Sequence, residues 1–167
     1  MQASPLAEKS PQPIEPFRGW PIQSGGQTAF GFSWYTRPAA FVSQTTMSRV
    51  SLASSMLLDN RLDRVTDRYR AEIVAAGGLL IVHDWRTIRT FDSEIIRYYI
   101  DRVAARRVPL RGVVVASTLD GLLRAAANVI GGAVSKVYGF DVELTSDPDA
   151  ALRRCRLQVP DPHVLVA

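Results

Sequence analysis

The stretch LLIVHDW, residues 79–85, begins with four consecutive apolar residues and comes directly after the pair Gly77-Gly78. A short apolar run that is bounded by glycine and lacks polar alternation is typical of a strand buried on both faces. Such strands occur in parallel or mixed sheets that are covered by helices. The stretch therefore predicts a central strand of an α/β fold.

Helical patterns lie on both sides of this strand. In residues 51–78, apolar residues recur every three or four positions, which predicts one long amphipathic helix that ends at Gly77-Gly78. Residues 92–107 carry a second helical pattern, with these apolar residues on one face: Ile96, Tyr99, Ile100 and Val103. A buried strand between two helices predicts right-handed crossovers in a parallel or mixed sheet.

The rest of the chain continues this alternation. Two β-prone segments flank Arg37-Pro38 and predict a hairpin or a pair of edge strands. Downstream, the pattern predicts these elements in order: a strand at 111–118, a helix over 119–136, a strand at 141–145 and a closing helix at 148–155. The predicted fold class is α/β, a small sandwich with a mixed sheet and the order β-β-α-β-α-β-α-β-α. No GxGxxG or GxxxxGK[ST] motif follows a strand, which argues against dinucleotide and P-loop enzymes.

Length and composition indicate a single folded domain. A chain of 167 residues with 47% hydrophobic residues is long enough to bury one core. Residues 1–25 are rich in proline, so we expect a disordered arm there, a domain at 26–158 and a C-terminal tail at 159–167. No apolar run approaches the roughly 20 residues that cross a bilayer, so we expect no membrane span and a cytoplasmic protein. The oligomeric state is left open.

Composition also bears on metals and partners. Cys155 is the single cysteine, and His83 and His163 lie far apart, so we expect no disulfide, metal site or cofactor. The net charge is +4, but the arginines of DNRLDRVTDRYR, residues 59–70, alternate with aspartates at helical spacing. This spacing predicts local neutralisation within one helix. We therefore expect no nucleic-acid partner.

The element order and several short motifs together resemble the STAS domain of sulphate transporters and bacterial anti-sigma-factor antagonists. The resemblance covers residues 29–157 and rests on four stretches: LLIVHDW, TFDSE at 90–94, VPLRGVVVAST at 108–118 and DPDAALRRC at 147–155. In the antagonists, the equivalent of TFDSE carries an Asp-Ser-Ser/Thr-Gly motif that a partner kinase phosphorylates. The resemblance implies a STAS-like fold and another protein as partner, such as a kinase-like ATPase or a regulatory component.

The chain differs from that motif at the phosphoacceptor. Asp92 and Ser93 match its first two positions, whereas Glu94 stands where the phosphoacceptor would be and Ile95 replaces the usual glycine. A carboxylate brings a permanent negative charge that is smaller than that of a phosphate. The chain is therefore more similar to the SpoIIAA-like bacterial branch of the superfamily, whose members commonly lack the phosphoacceptor.

Asp92 has two compatible interpretations. As an N-cap, its carboxylate would accept backbone N–H bonds from the first turn of the following helix, with Glu94 at the positive end of the helix dipole. As the resemblance implies, the same loop would bind a partner. The predicted partner-binding residues are Trp85, Arg89, Asp92, Ser93, Glu94 and Arg97, and Ser93 is also a candidate phosphosite.

The helix at 119–136 offers a second candidate surface. Its apolar arc comprises Leu122, Ala126, Val129, Ile130, Ala133 and Val134. A ridge of small residues adjoins this arc, and its candidate interface residues are Gly121, Ala125 and Gly132. Because glycine inside a helix costs about 1 kcal/mol relative to alanine, Gly131-Gly132 suggests close approach by the domain's own sheet or by a partner.

His83, Asp84 and Ser93 invite comparison with a hydrolase triad. Adjacent strand residues point to opposite faces, however, so His83 and Asp84 are poorly placed to form a relay. The chain also lacks the G-x-S-x-G elbow of α/β-hydrolases. We therefore predict no catalytic residue and no enzymatic activity.

Three functional hypotheses follow. The first is a non-enzymatic bacterial regulatory or scaffold domain of STAS type that binds another protein through the helix start at Asp92. The second is a small-ligand or lipid carrier that uses apolar space between the long first helix and the sheet. The third is an anti-sigma-factor antagonist that is phosphorylated at Ser93.

Overall fold

The computed structural model describes residues 22–29, 31–106, 108–118 and 121–147, with the backbone alone at 103, 121–123, 126 and 130. Within these ranges the elements are, in chain order, β1 Ser24–Gln27, β2 Phe32–Arg37, β3 Ala40–Thr45, β4 Arg49–Val50, α1 Leu52–Arg68, α2 Arg70–Ala75, β5 Leu79–Asp84, β6 Thr90–Phe91, α3 Glu94–Ala104, β7 Leu110–Ala116, α4 Gly121–Tyr138 and β8 Asp141–Thr145. The predicted α/β class is confirmed.

A six-stranded mixed sheet in the order β1-β2-β3-β5-β7-β8 organises the molecule. The pairs β1–β2 and β2–β3 are antiparallel, while β3, β5, β7 and β8 run parallel. The predicted hairpin is confirmed, with its turn at Pro38 and Ala39. The stretch that begins at Leu79 is the central strand β5, and its first five residues are all buried, as its apolar sequence predicts.

The helices α1, α3 and α4 cover one face of this sheet. Leu58 of α1 and Ile95 of α3 belong to the same buried cluster as Ile81 of β5. On α4, a Cβ placed on Gly131 would lie 3.2 Å from the Val142 Cγ1 atom of β8. This arrangement is the one that successive right-handed crossovers produce when each new parallel strand is added on the same side of the last.

The predicted long helix is interrupted. Helix α1 starts at the N-cap Ser51 with a capping box to Ser54, and it ends at Tyr69, whose φ of −108° and ψ of 22° are not helical. The Tyr69 hydroxyl donates to the backbone oxygen of Gln23, 3.3 Å away. The single helix predicted for 51–78 was therefore wrong at Tyr69, because sequence periodicity does not register a break that keeps the same apolar face.

The predicted stop at the paired glycines is confirmed. Gly77 has φ of +78° and Gly78 has φ of +130°, a region that side chains rarely tolerate. A Cβ on Gly78 would lie 2.9 Å from the Pro109 backbone oxygen. The second glycine therefore lets the chain turn closely past the start of β7.

Two further predictions need correction, and three lie outside the described residues. Ser24 and Gly25, which we assigned to a disordered arm, form β1 with Gly26 and Gln27 on the edge of the sheet. Val129, predicted in the apolar arc of α4, is 73% exposed. Residues 1–21 of the arm, the closing helix at 148–155 and the tail at 159–167 lie outside the described residues.

Candidate functional site

An apolar pocket of about 260 Å³ lies between α3, α4 and the sheet. Its floor includes Ile81 of β5 and Val113 of β7. Residues of α3, among them Ile95 and Tyr99, form one wall, and α4 forms the opposite wall. The pocket exists because α3 and α4 each pack on the sheet beside β7 without filling the space between them.

The α4 wall is built by residues at helical spacing. Ala127, Gly131 and Val134 stand at positions i, i+4 and i+7, so they share one side of the helix. Gly131 is buried against Val142, and this contact brings α4 close to β8. The small side chain of Ala127 and the absent one of Gly131 leave room that a larger residue would occupy.

Three aromatic rings meet at one side of the pocket. The ring centroids of His83 and Trp85 lie 5.0 Å apart, those of Trp85 and Tyr99 5.9 Å, and those of His83 and Tyr99 6.2 Å. These separations are those of favourable aromatic pairs. The rings come from the end of β5 and from α3, so their contact fixes where α3 sits over the sheet.

His83 is the buried imidazole of this group. Its Nδ1 atom lies 2.6 Å from the Ser43 hydroxyl oxygen on the neighbouring strand β3. Burial, together with the nearby positive charge of Arg106, lowers the pKa of His83 to about 4, while Asp59 acts in the opposite direction. The imidazole is therefore neutral at neutral pH.

A buried ion cluster ties α1 to the end of α3. Asp59 pairs with Arg102 and Arg106, and both arginines also pair with Asp63. The Tyr98 hydroxyl donates to Asp59 across 3.0 Å. Although burial opposes ionisation of Asp59, its ion pairs and hydrogen bonds with the two arginines lower the pKa below the ordinary value.

The ion cluster corrects the predicted charge pattern of α1. We expected Asp59, Asp63 and Asp67 to be neutralised by arginines of their own helix. Of these three aspartates, only Asp67 pairs locally among the described residues, with Arg70 three positions away at the start of α2. Asp59 and Asp63 pair with α3 instead, because the face that carries them turns toward that helix.

Asp92 caps a helix, but not the one that follows it. Its carboxylate accepts from the backbone N–H of Leu52, the first residue of α1, at 3.0 Å. It also accepts from the Arg49 guanidinium at 3.0 Å. The prediction that this carboxylate bonds the first turn of α3 was therefore wrong, because the parallel pair β4–β6 places Asp92 beside the start of α1.

The other predicted partner-binding residues do not share one environment. Ser93 and Glu94 are exposed at the start of α3, and Arg97 is exposed one turn later. Trp85 lines the pocket instead. The Arg89 guanidinium donates to the Thr118 hydroxyl at 3.3 Å, beside the end of β7.

The small residues of α4 divide between two sides of the helix. Ala125 and Gly132 are exposed, and no heavy atom lies within 4 Å of a Cβ built on Gly132. Gly121 is the first residue of α4. The close approach to the domain's own sheet is made by Gly131 alone of the glycine pair.

Sequence reasoning missed the pocket. Ile95 was noted only as a departure from the STAS motif, and Ala127 was not singled out. The available signal was the spacing of Ala127, Gly131 and Val134, which marks a narrow side of α4 facing the sheet. The sequence pattern does not indicate how far apart α3 and α4 stand.

Comparisons of the chain with protein-family models, with curated proteins and with solved structures found no match. No helix in the described part of the chain has the length and apolar character needed to span a membrane. Among the same residues, no group of three or more His, Cys, Asp or Glu side chains is arranged to hold a metal ion.

Proposed function

We propose that this protein is a non-enzymatic binding domain whose pocket between α3 and α4 holds a small, mainly apolar molecule. The observation that carries the proposal is the pocket itself, whose walls are almost entirely apolar. Ligand sites in proteins are typically concave and lined by hydrophobic and aromatic side chains with few polar groups. The site formed by the sheet, α3 and α4 has that character.

The pocket volume sets the size of the occupant. An engineered cavity of about 150 Å³ in another protein stays dry and binds benzene. In proportion, a pocket of about 260 Å³ suits a molecule of about ten non-hydrogen atoms. Long lipids would have to extend out of it, so the proposal is a small hydrophobic molecule rather than a whole phospholipid.

The proposed site differs from the place that the sequence suggested for a carrier. We expected apolar space between the long first helix and the sheet. In the structure that space is filled by a packed core, in which Leu58 and Leu62 of α1 are both almost fully buried. The apolar pocket lies instead between α3 and α4.

The proposal is tested by calorimetric titration with indane, a compact hydrocarbon without polar atoms. We expect saturable binding with a negative heat-capacity change, the mark of buried apolar surface. Ala127→Phe places a large ring in the pocket and should weaken binding at least tenfold. Ala125→Phe adds the same ring to the exposed side of α4 and should leave binding unchanged.

Two results would contradict the proposal. One is the absence of saturable indane binding to the folded wild type. The other is equal binding by wild type and Ala127→Phe, because the molecule would then occupy another part of the protein.

A second candidate is the STAS-type interaction with another protein at the start of α3. Ser93 and Glu94 support this candidate, because they are exposed directly after Asp92. The Asp92 carboxylate is fixed by hydrogen bonds from Leu52 and Arg49. Because this loop is already ordered, Ser93 and Glu94 would lose little conformational entropy on binding a partner. Phosphorylation of Ser93 remains a prediction that intact-mass measurement after incubation with cellular kinases would test.

Asp92 itself is unsuitable for testing this surface, because its loss would also disturb α1. Glu94→Arg changes the same surface and leaves the contact between Asp92 and α1 in place. The control Asp141→Arg makes the same charge change at the exposed start of β8. We expect Glu94→Arg to lose a partner that wild type and Asp141→Arg both capture. Identical captured proteins for all three would exclude this surface.

A further inference from the structure

The Ser43 hydroxyl has one hydrogen-bond partner among the described residues, the Nδ1 atom of His83. Ser43 is fully buried, so water does not provide an alternative. A buried hydroxyl that finds no acceptor for its proton loses stability. The serine therefore donates its proton to Nδ1, which must be the unprotonated nitrogen of the ring.

This assignment decides the state of the other ring nitrogen. A neutral imidazole carries one proton, so with Nδ1 as acceptor the proton sits on Nε2. Nε2 has no hydrogen-bond partner in the described part of the chain, and it is not among the polar atoms sealed from solvent there. Because His83 lines the pocket, its Nε2–H is a donor available to an occupant.

The neighbouring donors are placed differently. Solvent does not reach the Trp85 Nε1 atom, the Tyr99 hydroxyl or the Arg106 Nε atom, so these donors are sealed within the packing around the pocket. Ser117 and Glu143 also line the pocket, but both already take part in other interactions. His83 is therefore the group that the pocket offers to a ligand acceptor.

The charges around the pocket do not favour an anion. Arg106 lines the pocket, but its guanidinium is paired with Asp59 and Asp63. Arg102 pairs with the same two carboxylates, so the four charges sum to zero. A carboxylate buried here would find no free cation among the described residues that line the pocket, and it would be costly to desolvate.

We infer that the pocket selects a compact apolar molecule with one neutral hydrogen-bond acceptor, such as a ketone, aldehyde or ester carbonyl, bound to the Nε2–H of His83. The inference rests on the proposed pocket function and adds the polar group that the ligand must carry. The body of the ligand fills the apolar space, and its carbonyl oxygen accepts a hydrogen bond from the Nε2–H of His83.

A matched series of probes tests the inference: indane, 1-indanone and indane-1-carboxylate. These share a ring skeleton and differ in the polar group. At neutral pH we expect 1-indanone to bind wild type about fivefold more tightly than indane, the gain expected from one hydrogen bond. Indane-1-carboxylate should bind more weakly than 1-indanone.

The double variant His83→Phe with Ser43→Ala removes the donor without leaving the buried hydroxyl unpaired. It should bind indane and 1-indanone equally. In wild-type protein labelled with ¹⁵N, the ring resonances of His83 should report a proton on Nε2, and the Nε2 resonance should shift further on addition of 1-indanone, which accepts its hydrogen bond, than on addition of indane. The ring measurement does not depend on whether the variant folds.

Each outcome has a definite meaning. Equal wild-type affinity for indane and 1-indanone, tightest binding of the carboxylate, or a proton on Nδ1 of His83 would overturn the inference and leave the pocket proposal intact. Binding of none of the probes would overturn both.

Discussion

The carboxylate of Asp92 accepts a hydrogen bond from the backbone N–H of Leu52, 3.0 Å away. A loop forty residues later in the chain therefore caps the start of α1. The first N–H groups of a helix have no partner within the helix. One of them is satisfied here by a residue that sits just before α3. The contact therefore couples the position of α1 to the loop that leads into the pocket wall.

Replacing Asp92 should lower stability, and more so at neutral than at acidic pH. The hydrogen bond from Leu52 and the contact with Arg49 hold the pKa of Asp92 below its ordinary value of 3.8. A carboxylate with a lowered folded-state pKa stabilises the fold above the unfolded pKa and loses that effect as pH falls through the folded pKa. Thermal unfolding of Asp92→Asn should therefore differ from wild type at neutral pH and converge with it in strong acid.

Asp141→Asn is the control for this experiment, since Asp141 is exposed at the start of β8. It should unfold as wild type does throughout. A constant difference between Asp92→Asn and wild type from neutral to strongly acidic pH would contradict the role assigned to this carboxylate.

The ion cluster between α1 and α3 should be sensitive to loss of Asp59. Its side chain is 1% exposed and pairs with Arg106, which is 5% exposed. Removing Asp59 leaves Arg102 and Arg106 to share the single carboxylate of Asp63, so the cluster keeps one uncompensated positive charge. Asp59→Asn should therefore cost about 3 kcal/mol in the free energy of unfolding. Asp67→Asn, in the exposed pair with Arg70, should cost less than about 1 kcal/mol.

Urea unfolding at neutral pH measures both variants. If Asp59→Asn and Asp67→Asn were equally stable, the cluster would not hold α3 against α1 in the way described.

His83 should make the fold sensitive to mild acid. Its pKa falls from 6.5 to about 4 on folding, chiefly because it is buried. A histidine with a lowered folded-state pKa stabilises the fold fully above the unfolded pKa, and that contribution is lost as pH falls from 6.5 toward 4. The loss amounts to about 3 kcal/mol over this range.

The measurement is the free energy of unfolding as a function of pH for wild type and for His83→Phe with Ser43→Ala. Wild type should lose about 3 kcal/mol more than the variant between neutral pH and the lower end of this range. Parallel curves would show that His83 takes up its proton in the folded protein as readily as in the unfolded chain.

The paired glycines of α4 should respond differently to the same substitution. Gly132→Ala places a methyl group in open space on the exposed side of α4 and should raise the free energy of unfolding by about 1 kcal/mol. Gly131→Ala places it 3.2 Å from Val142, so crowding should remove part or all of that gain. Melting temperatures of both variants test this order, and a larger gain for Gly131→Ala would contradict the packing of α4 on β8.

The sequence predicts the elements of this fold better than their relationships. Apolar runs and glycine pairs are local signals, which is why β5 and the stop at Gly78 could be placed. The partner of Asp92 could not, because Leu52 is brought beside it only by the pairing of β4 with β6. Tyr99 was correctly placed on an apolar helix face, but its contact with a pocket depends on the distance between two helices.

Individual residues of the candidate site could be predicted from the sequence, but their contacts could not. His83 and Asp84 were expected to point to opposite faces of a strand and to form no relay, and Asp84 pairs with Arg86 instead. The bond to Ser43 was not foreseen, because it requires β3 and β5 to be neighbours in register, with Ser43 opposite His83. Such pairings are long-range, and no local pattern encodes them.

The most direct test of a ligand pocket is a residue-resolved NMR titration of the ¹⁵N-labelled wild type with indane. We expect saturable shifts of the backbone amides of Ile95, Val113 and Gly131, which surround the pocket, with no shift at Ser93 or Glu94 beyond it. Shifts confined to Ser93 and Glu94, or none at saturating indane in a protein shown to be folded, would contradict a ligand site in this pocket.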